Sequence, residues 1–151
     1  MAESLIAHRL AQSARALVIA LRGDLGAGKT TFTQGFFRGL GIKRNPISPT
    51  FVIMRRYRVA KRPAFARASA GKKLQIANCF TDIYHFDAYR LKKIEDVAVL
   101  EIDRILADPK NIILIEWPER IKKILPRGAV WFEFKYGKQE NERMIRMKKP
   151  I

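Results

Sequence analysis

A continuously apolar run, ALVIAL at 16–21, leads within two residues into the glycine-rich octet GDLGAGKT at 23–30. Six apolar residues in succession suit a strand buried on both faces, the kind found in parallel sheets covered by helices. The octet satisfies G-x-x-x-x-G-K-[ST] with Gly23, Gly28, Lys29 and Thr30 in place. Phe32, Phe36, Phe37 and Leu40 then recur at helical spacing, and the helix ends at Gly39 and Gly41. Strand, glycine turn and helix in that order predict a phosphate-binding loop in an α/β protein.

The chemistry of such a loop needs these residue types. Glycines let successive backbone N–H groups curl around an anion without Cβ collisions. Lys29 supplies a point charge for the β- and γ-phosphates, and the Thr30 hydroxyl can ligate magnesium. The candidate nucleotide contacts are therefore Asp24, Leu25, Gly26, Ala27, Gly28, Lys29, Thr30 and Thr31. A carboxylate at the end of a buried strand should complete the metal site. Two candidates stand in the sequence: Glu116, directly after IILI at 112–115, and Asp87, after Ile83, Tyr84 and Phe86. One suits a metal ligand and the other a water-positioning or base residue, with the order open.

The remaining pattern alternates strands and helices. A helix is predicted at the N-terminus from Leu5, Ile6, Leu10 and Ala14, a mitochondrial presequence being the rival reading. Strands are predicted at 51–59, within 74–86, at 112–115, near 129–136 and at 142–147. A helix over 94–107 buries Val97, Leu100, Ile105 and Leu106, and a shorter one runs from Pro118 to Leu125. The order predicts a three-layer α/β fold of the P-loop NTPase type, its mostly parallel sheet carrying an antiparallel extension. A length of 151 residues fits one domain, 1–151.

Composition narrows the partners. Thirty Lys and Arg against fourteen Asp and Glu leave a net charge of +16, which favours an anionic partner such as nucleotide, RNA or an acidic protein face. Cys79 is the single cysteine, so no internal disulfide or four-cysteine zinc site can form, and a reducing, cytoplasmic setting is the natural expectation. His8 and His85 are too far apart in sequence to suggest a metal cluster, and His85 alone reads as structural. No apolar stretch is long enough for a membrane-spanning helix. There is no NKxD guanine-reading tetrapeptide, no DxxG switch after the loop and no LSGGQ-like segment. Gly26 and Gly28 followed by Thr31 fail the GxGxxG dinucleotide fingerprint, leaving an adenine nucleotide as the default.

Four segments in order, GDLGAGKTT at 23–31, SPTF at 48–51, HFDAYRL at 85–91 and IEWPE at 115–119, resemble the bacterial TsaE (YjeE) family over most of the chain. The resemblance implies a small magnesium-dependent ATPase. In that family the protein supports threonylcarbamoyladenosine synthesis on tRNAs reading ANN codons. It acts with the TsaD–TsaB heterodimer and is weakly active without it. Residue by residue, the resemblance implies that Lys29 and Thr30 bind phosphate and magnesium, and that Glu116 is the second magnesium ligand. Asp87 matches the family's other functional carboxylate, Thr50 would lie in a switch-like loop and Trp117 near the nucleotide. Tyr89 and Arg90 are expected either to contact TsaD or to anchor the following helix.

Two features depart from the family pattern. The family carries more residues before its first helix, some of which cover the base, whereas this sequence starts almost at that helix. The stretch 55–73 is long and basic: Arg55, Arg56, Arg58, Lys61, Arg62, Arg67, Lys72 and Lys73 occur without an acid. It reads as an extended hairpin tip, either a solvated loop or an electrostatic arm for tRNA phosphates or an acidic partner. The alternatives to a partner-activated ATPase are a small P-loop kinase using this insert as a lid, a nucleotide-gated binding module without steady hydrolysis, and a basic RNA-binding protein with a degenerate loop. The intact GKT argues against the last.

Overall fold

The computed structural model describes residues 14–40, 42, 46, 53–59, 80–91, 95–98 and 100–148. Leu5, Ile6 and Leu10 of the predicted N-terminal helix, the SPTF segment with Thr50, and residues 60–79, which include Lys61, Arg62, Arg67, Lys72 and Lys73 of the basic stretch, lie outside the described residues, while Ala14 lies in a bend.

Six strands form one sheet: β1 (Leu17–Gly23), β2 (Met54–Arg58), β3 (Asp82–Asp87), β4 (Asn111–Glu116), β5 (Val130–Tyr136) and β6 (Arg143–Lys148). Their spatial order is β2-β3-β4-β1-β5-β6. The inner four, β3, β4, β1 and β5, are mutually parallel. The two outer strands, β2 and β6, run antiparallel to their neighbours. The predicted antiparallel extension therefore exists on both sides. Helix α1 (Lys29–Gly39) follows β1; α2 (Glu95–Ala98) and α3 (Ile102–Ala107) lie between β3 and β4; a 3-10 helix spans Pro118–Ile124.

Alternation along the strands sorts side chains onto two faces. One layer takes Leu17, Ile19 and Leu21 of β1, Ile112 and Leu114 of β4, and Phe132 and Phe134 of β5, packed against Phe36 and Phe37 of α1. The other takes Val18, Phe86, Ile113 and Ile115, covered by Val97, Ile102, Ile105, Leu106 and Ile121. Ile112 through Ile115 are all at most 1% exposed, which explains why β4 is apolar at consecutive rather than alternate positions. Each such side chain contributes about 1.5–3 kcal/mol by leaving water. The Asn111 amide donates to the Ile105 carbonyl at 3.0 Å, fastening the end of α3 to the start of β4.

Two predicted elements need correction. The single helix expected over 94–107 is broken at Glu101, which adopts a left-handed φ of 49°. Val97 and Ile102 are five residues apart, which on an unbroken helix turns them about 140° from each other. The break lets both reach the same apolar layer. The strand expected at 51–59 is observed as Met54–Arg58, preceded by Ile53 at φ 54°. Within the stretch expected to hold one or two strands, the described part forms one, Asp82–Asp87, buried at all six positions. No helix among the described residues is long and apolar enough to cross a membrane.

Candidate nucleotide site

The parallel register decides what meets at the carboxyl end of the sheet. Leu21 of β1 pairs with Glu116 of β4, and Asp87 of β3 pairs with the same Glu116. The loop after β1 and both candidate carboxylates thus share one edge, where open α/β sheets bind ligands.

The turn after β1 is built by close approach. Gly23 runs at φ 154°, and a Cβ there would lie 2.6 Å from the Phe134 carbonyl oxygen on β5. Gly28, at φ 99°, occupies the left-handed position from which α1 starts. Ala27 is buried in the core beneath the turn, whereas Leu25 at its tip is 77% exposed. The β5–β6 hairpin braces that tip. Tyr136 Oη donates to the Leu25 carbonyl, Arg143 Nε donates to the Gly26 carbonyl at 3.4 Å, and the Arg143 guanidinium lies 4.6 Å from the Tyr136 ring centre.

Lys29 is buried, its Nζ donating to the carbonyls of Gly23 at 2.7 Å and Asp24 at 2.8 Å. Burial lowers its pKa from the usual lysine range, opposed by the carboxylates of Glu116, Glu119, Asp87 and Asp24. The ammonium also sits 4.3 Å from the ring centre of Trp117. Trp117 holds a left-handed backbone, φ 58° and ψ 47°, between Glu116 and Pro118. Such a conformation costs a bulky residue about 1–3 kcal/mol and marks places where geometry outweighs local preference. Its indole packs against Tyr89 at 5.1 Å between ring centres.

Thr30 Oγ1 donates to Glu116, 3.2 Å from Oε1 and 3.4 Å from Oε2. On the other side His85 Nε2 lies 2.9 Å from Glu116 Oε1. Asp87 Oδ1 accepts the Tyr89 backbone N–H at 2.9 Å, an Asx-type turn that fixes the carboxylate at the strand end. A cleft of about 250 Å³ opens between these groups. It is lined on one side by Leu25, Gly26, Gly28, Lys29, Thr30 and Thr31 and on the other by Asp87, Glu116, Trp117 and Tyr89. Of the residues singled out in the sequence, Asp24 accepts the Ala27 N–H at 3.2 Å and the Lys29 ammonium through its carbonyl.

Two residues not assigned to the nucleotide site by sequence have contacts there. His85, read as merely structural, contacts Glu116 directly, and Tyr89, read as a partner contact or helix anchor, lines the cleft. The signal for His85 was its two-residue offset from Asp87, which puts both on one face of β3. A hydroxyl beside a carboxylate is a donor set suited to magnesium, which keeps most of its shell as water and phosphate oxygen and takes few protein ligands. No group of three or more His, Cys, Asp or Glu able to hold a metal is found among the described residues.

A mostly parallel sheet with a glycine-rich loop after β1, a lysine and threonine opening α1, and an acid ending a neighbouring buried strand define a P-loop protein of the α/β class with a candidate nucleotide site. The family model described as "Threonylcarbamoyl adenosine biosynthesis protein TsaE" matches residues 2–145, and the chain belongs to this family. Relatives bearing the name tRNA threonylcarbamoyladenosine biosynthesis protein TsaE include that of Haemophilus influenzae, 36% identical over 122 residues, covering 81% of this chain and 65% of the relative. The Bacillus subtilis relative is 37% identical over 126 residues, covering 83% and 66%. The Rickettsia typhi relative is 35% identical over 133 residues, covering 87% and 77%. Among solved structures, Bacillus subtilis YdiB is similar with a TM-score of 0.61 and 29% identity, covering 99% of this chain and 78% of that one. The chain spans somewhat less than two thirds of the Haemophilus and Bacillus relatives.

Proposed function

We propose that this chain is a single-domain, magnesium-dependent ATPase that supports threonylcarbamoyladenosine modification of tRNAs reading ANN codons, acting in the cytoplasm with a TsaD–TsaB complex. The observation that carries the enzymatic reading is the contact between Thr30 and Glu116, 3.2 Å, which joins the start of α1 to the end of β4. The names of the relatives carry the pathway.

In this reading the backbone of residues 24–31 cradles the phosphates, aided by the amino end of α1. Lys29 leaves its carbonyl partners to meet the β- and γ-phosphates. Thr30 and Glu116 are the residues that would hold magnesium, and the bound ion would offset phosphate charge. Asp87, held by the Tyr89 N–H, orients the attacking water, which gives its proton to solvent through the carboxylate. Trp117 and Tyr89 wall the cleft against water, and Thr50 of the SPTF segment senses the γ-phosphate. Preorganised electrostatics rather than covalent chemistry supplies the rate. The basic stretch 55–73 serves as an arm for tRNA phosphates or for an acidic face of the partner. Reversing four of its charges should weaken assembly and flatten its salt dependence; an unchanged salt slope would remove the arm from this scheme.

The deciding experiment is magnesium-dependent ATP hydrolysis by the purified chain, alone and with TsaD–TsaB, with Lys29→Ala as control. Activity that rises with the partners and disappears in the variant supports the reading. Phosphoryl transfer to a nucleoside or nucleotide acceptor without hydrolysis would replace it with a kinase, and no hydrolysis at all by a folded protein with a nucleotide-dependent complex would replace it with a binding module.

A further inference from the structure

We infer that His85 is a positioning residue for Glu116, fixing the carboxylate that serves the metal; this rests on the reading of Glu116 as a metal ligand given above. Both side chains are buried, His85 at 0% and Glu116 at 4% exposure. His85 meets no solvent and Glu116 meets it only at the cleft, so most of what turns the carboxylate comes from the protein. Two groups do so: Thr30 Oγ1 at 3.2 Å and His85 Nε2 at 2.9 Å, both on Oε1. Thr30 is itself expected to be committed to the metal, which leaves His85 as the contact outside the metal's own donor set.

The register makes the pairing rigid. His85 lies opposite Leu114 and Asp87 opposite Glu116 on adjacent parallel strands, so the imidazole reaches the carboxylate diagonally across one face of the sheet. Both strands are buried at every position, which leaves little freedom for either backbone.

The other ring nitrogen points the same way. His85 Nδ1 is buried without a hydrogen-bond partner among the described residues. An unpaired buried polar atom is costly, and an apolar side chain would fill the same place without that penalty. The compensating contribution of the imidazole is the bond made by Nε2. For a Glu116 that serves a metal as a carboxylate, whose oxygens only accept, the bond requires Nε2–H as the donor. Partners of this kind orient metal-binding side chains, and losing one typically weakens metal affinity 10- to 100-fold.

The test titrates Mn2+ as a paramagnetic probe into protein carrying a non-hydrolysable ATP analogue, comparing wild type, Glu116→Gln, His85→Leu and His85→Gln. Expected is a 10- to 100-fold loss of Mn2+ affinity in His85→Leu, metal-free analogue binding within about twofold of wild type, and substantial recovery in His85→Gln, whose amide can donate. A His85→Leu protein that binds Mn2+ like wild type while Glu116→Gln is weakened would overturn the positioning role alone. Unchanged binding in Glu116→Gln would overturn the metal-site reading and this inference with it. Should His85→Leu not fold, 15N spectroscopy of the wild-type, metal-free imidazole decides: a proton on Nε2 and a shift of that nitrogen in Glu116→Gln support the bond, and a bare Nε2 refutes it.

Discussion

The Lys29 ammonium lies 4.3 Å from the centre of the Trp117 indole while donating to the carbonyls of Gly23 and Asp24. The lysine that should meet phosphate is thus turned back on its own loop and stacked against the far wall of the cleft. In the proposed function, nucleotide binding dismantles that arrangement. Trp117 and Trp131 are the two tryptophans of the chain, so a Trp131→Phe protein reports on Trp117 alone. Adding ATP with magnesium should change its emission, and Lys29→Ala should change the nucleotide-free emission and suppress the response. Identical spectra with and without saturating nucleotide would show that Lys29 stays where it is.

Asp87 and Glu116 are neighbours in register but differ in what holds them, so their variants should separate. Glu116→Ala is expected to lose metal dependence as well as turnover. Asp87→Asn is expected to keep magnesium-nucleotide affinity while hydrolysis falls by about 100-fold or more, the usual scale for removing a group that acts on the reacting atoms. Equilibrium binding of magnesium-nucleotide beside single-turnover rates distinguishes the two. Equal loss of binding in both would assign both carboxylates to the metal.

Arg56 of β2 grips Asp82 at the start of β3 through two bonds, 2.8 and 3.0 Å. That hydrogen bonding holds the Asp82 carboxyl below its ordinary value of 3.8, against the opposing effect of burial. A depressed folded-state pKa means stability that is complete above the ordinary value and disappears as pH falls through the lower folded value. The stability difference between wild type and Asp82→Asn should therefore be constant near neutral pH and shrink in the acid range below 3.8. Denaturant unfolding at a series of pH values measures it. A difference independent of pH would mean that the carboxylate charge contributes nothing.

The loop itself is set by what lies behind and above it. Gly23→Ala would drive a Cβ to 2.6 Å from the Phe134 carbonyl and should cost on the order of 2–4 kcal/mol, seen as a lower unfolding midpoint. Tyr136→Phe removes only the hydroxyl that donates to the Leu25 carbonyl. It should lower the midpoint slightly, by the roughly 0.5–1.5 kcal/mol net worth of one hydrogen bond, and weaken nucleotide affinity by about 3- to 10-fold through the loop's lost preorganisation. Calorimetric titration checks it, and unaltered affinity would mean that the loop keeps its shape without the brace.

Much of this architecture is carried by contiguous residues. ALVIAL, GDLGAGKT and the helical phenylalanines specify strand, turn and helix through periodicity and glycine placement, and IILI followed by Glu116 marks a buried strand with an acid at its end. These are local properties, and the resulting strands and α1 appear where expected. Only the tertiary structure decided the rest. Thr30 and Glu116 are separated by 86 positions and His85 and Glu116 by 31, and no local pattern encodes a distance that depends on the register of parallel strands. The break at Glu101 and the left-handed backbone of Trp117 are likewise imposed from outside their own segments, because packing against the sheet outweighs local preference by more than the strain costs. Sequence determined the chemical groups and the scaffold that could carry them. Sheet register and burial determined which groups meet, and so turned an apparently structural histidine into the neighbour of the site's central carboxylate.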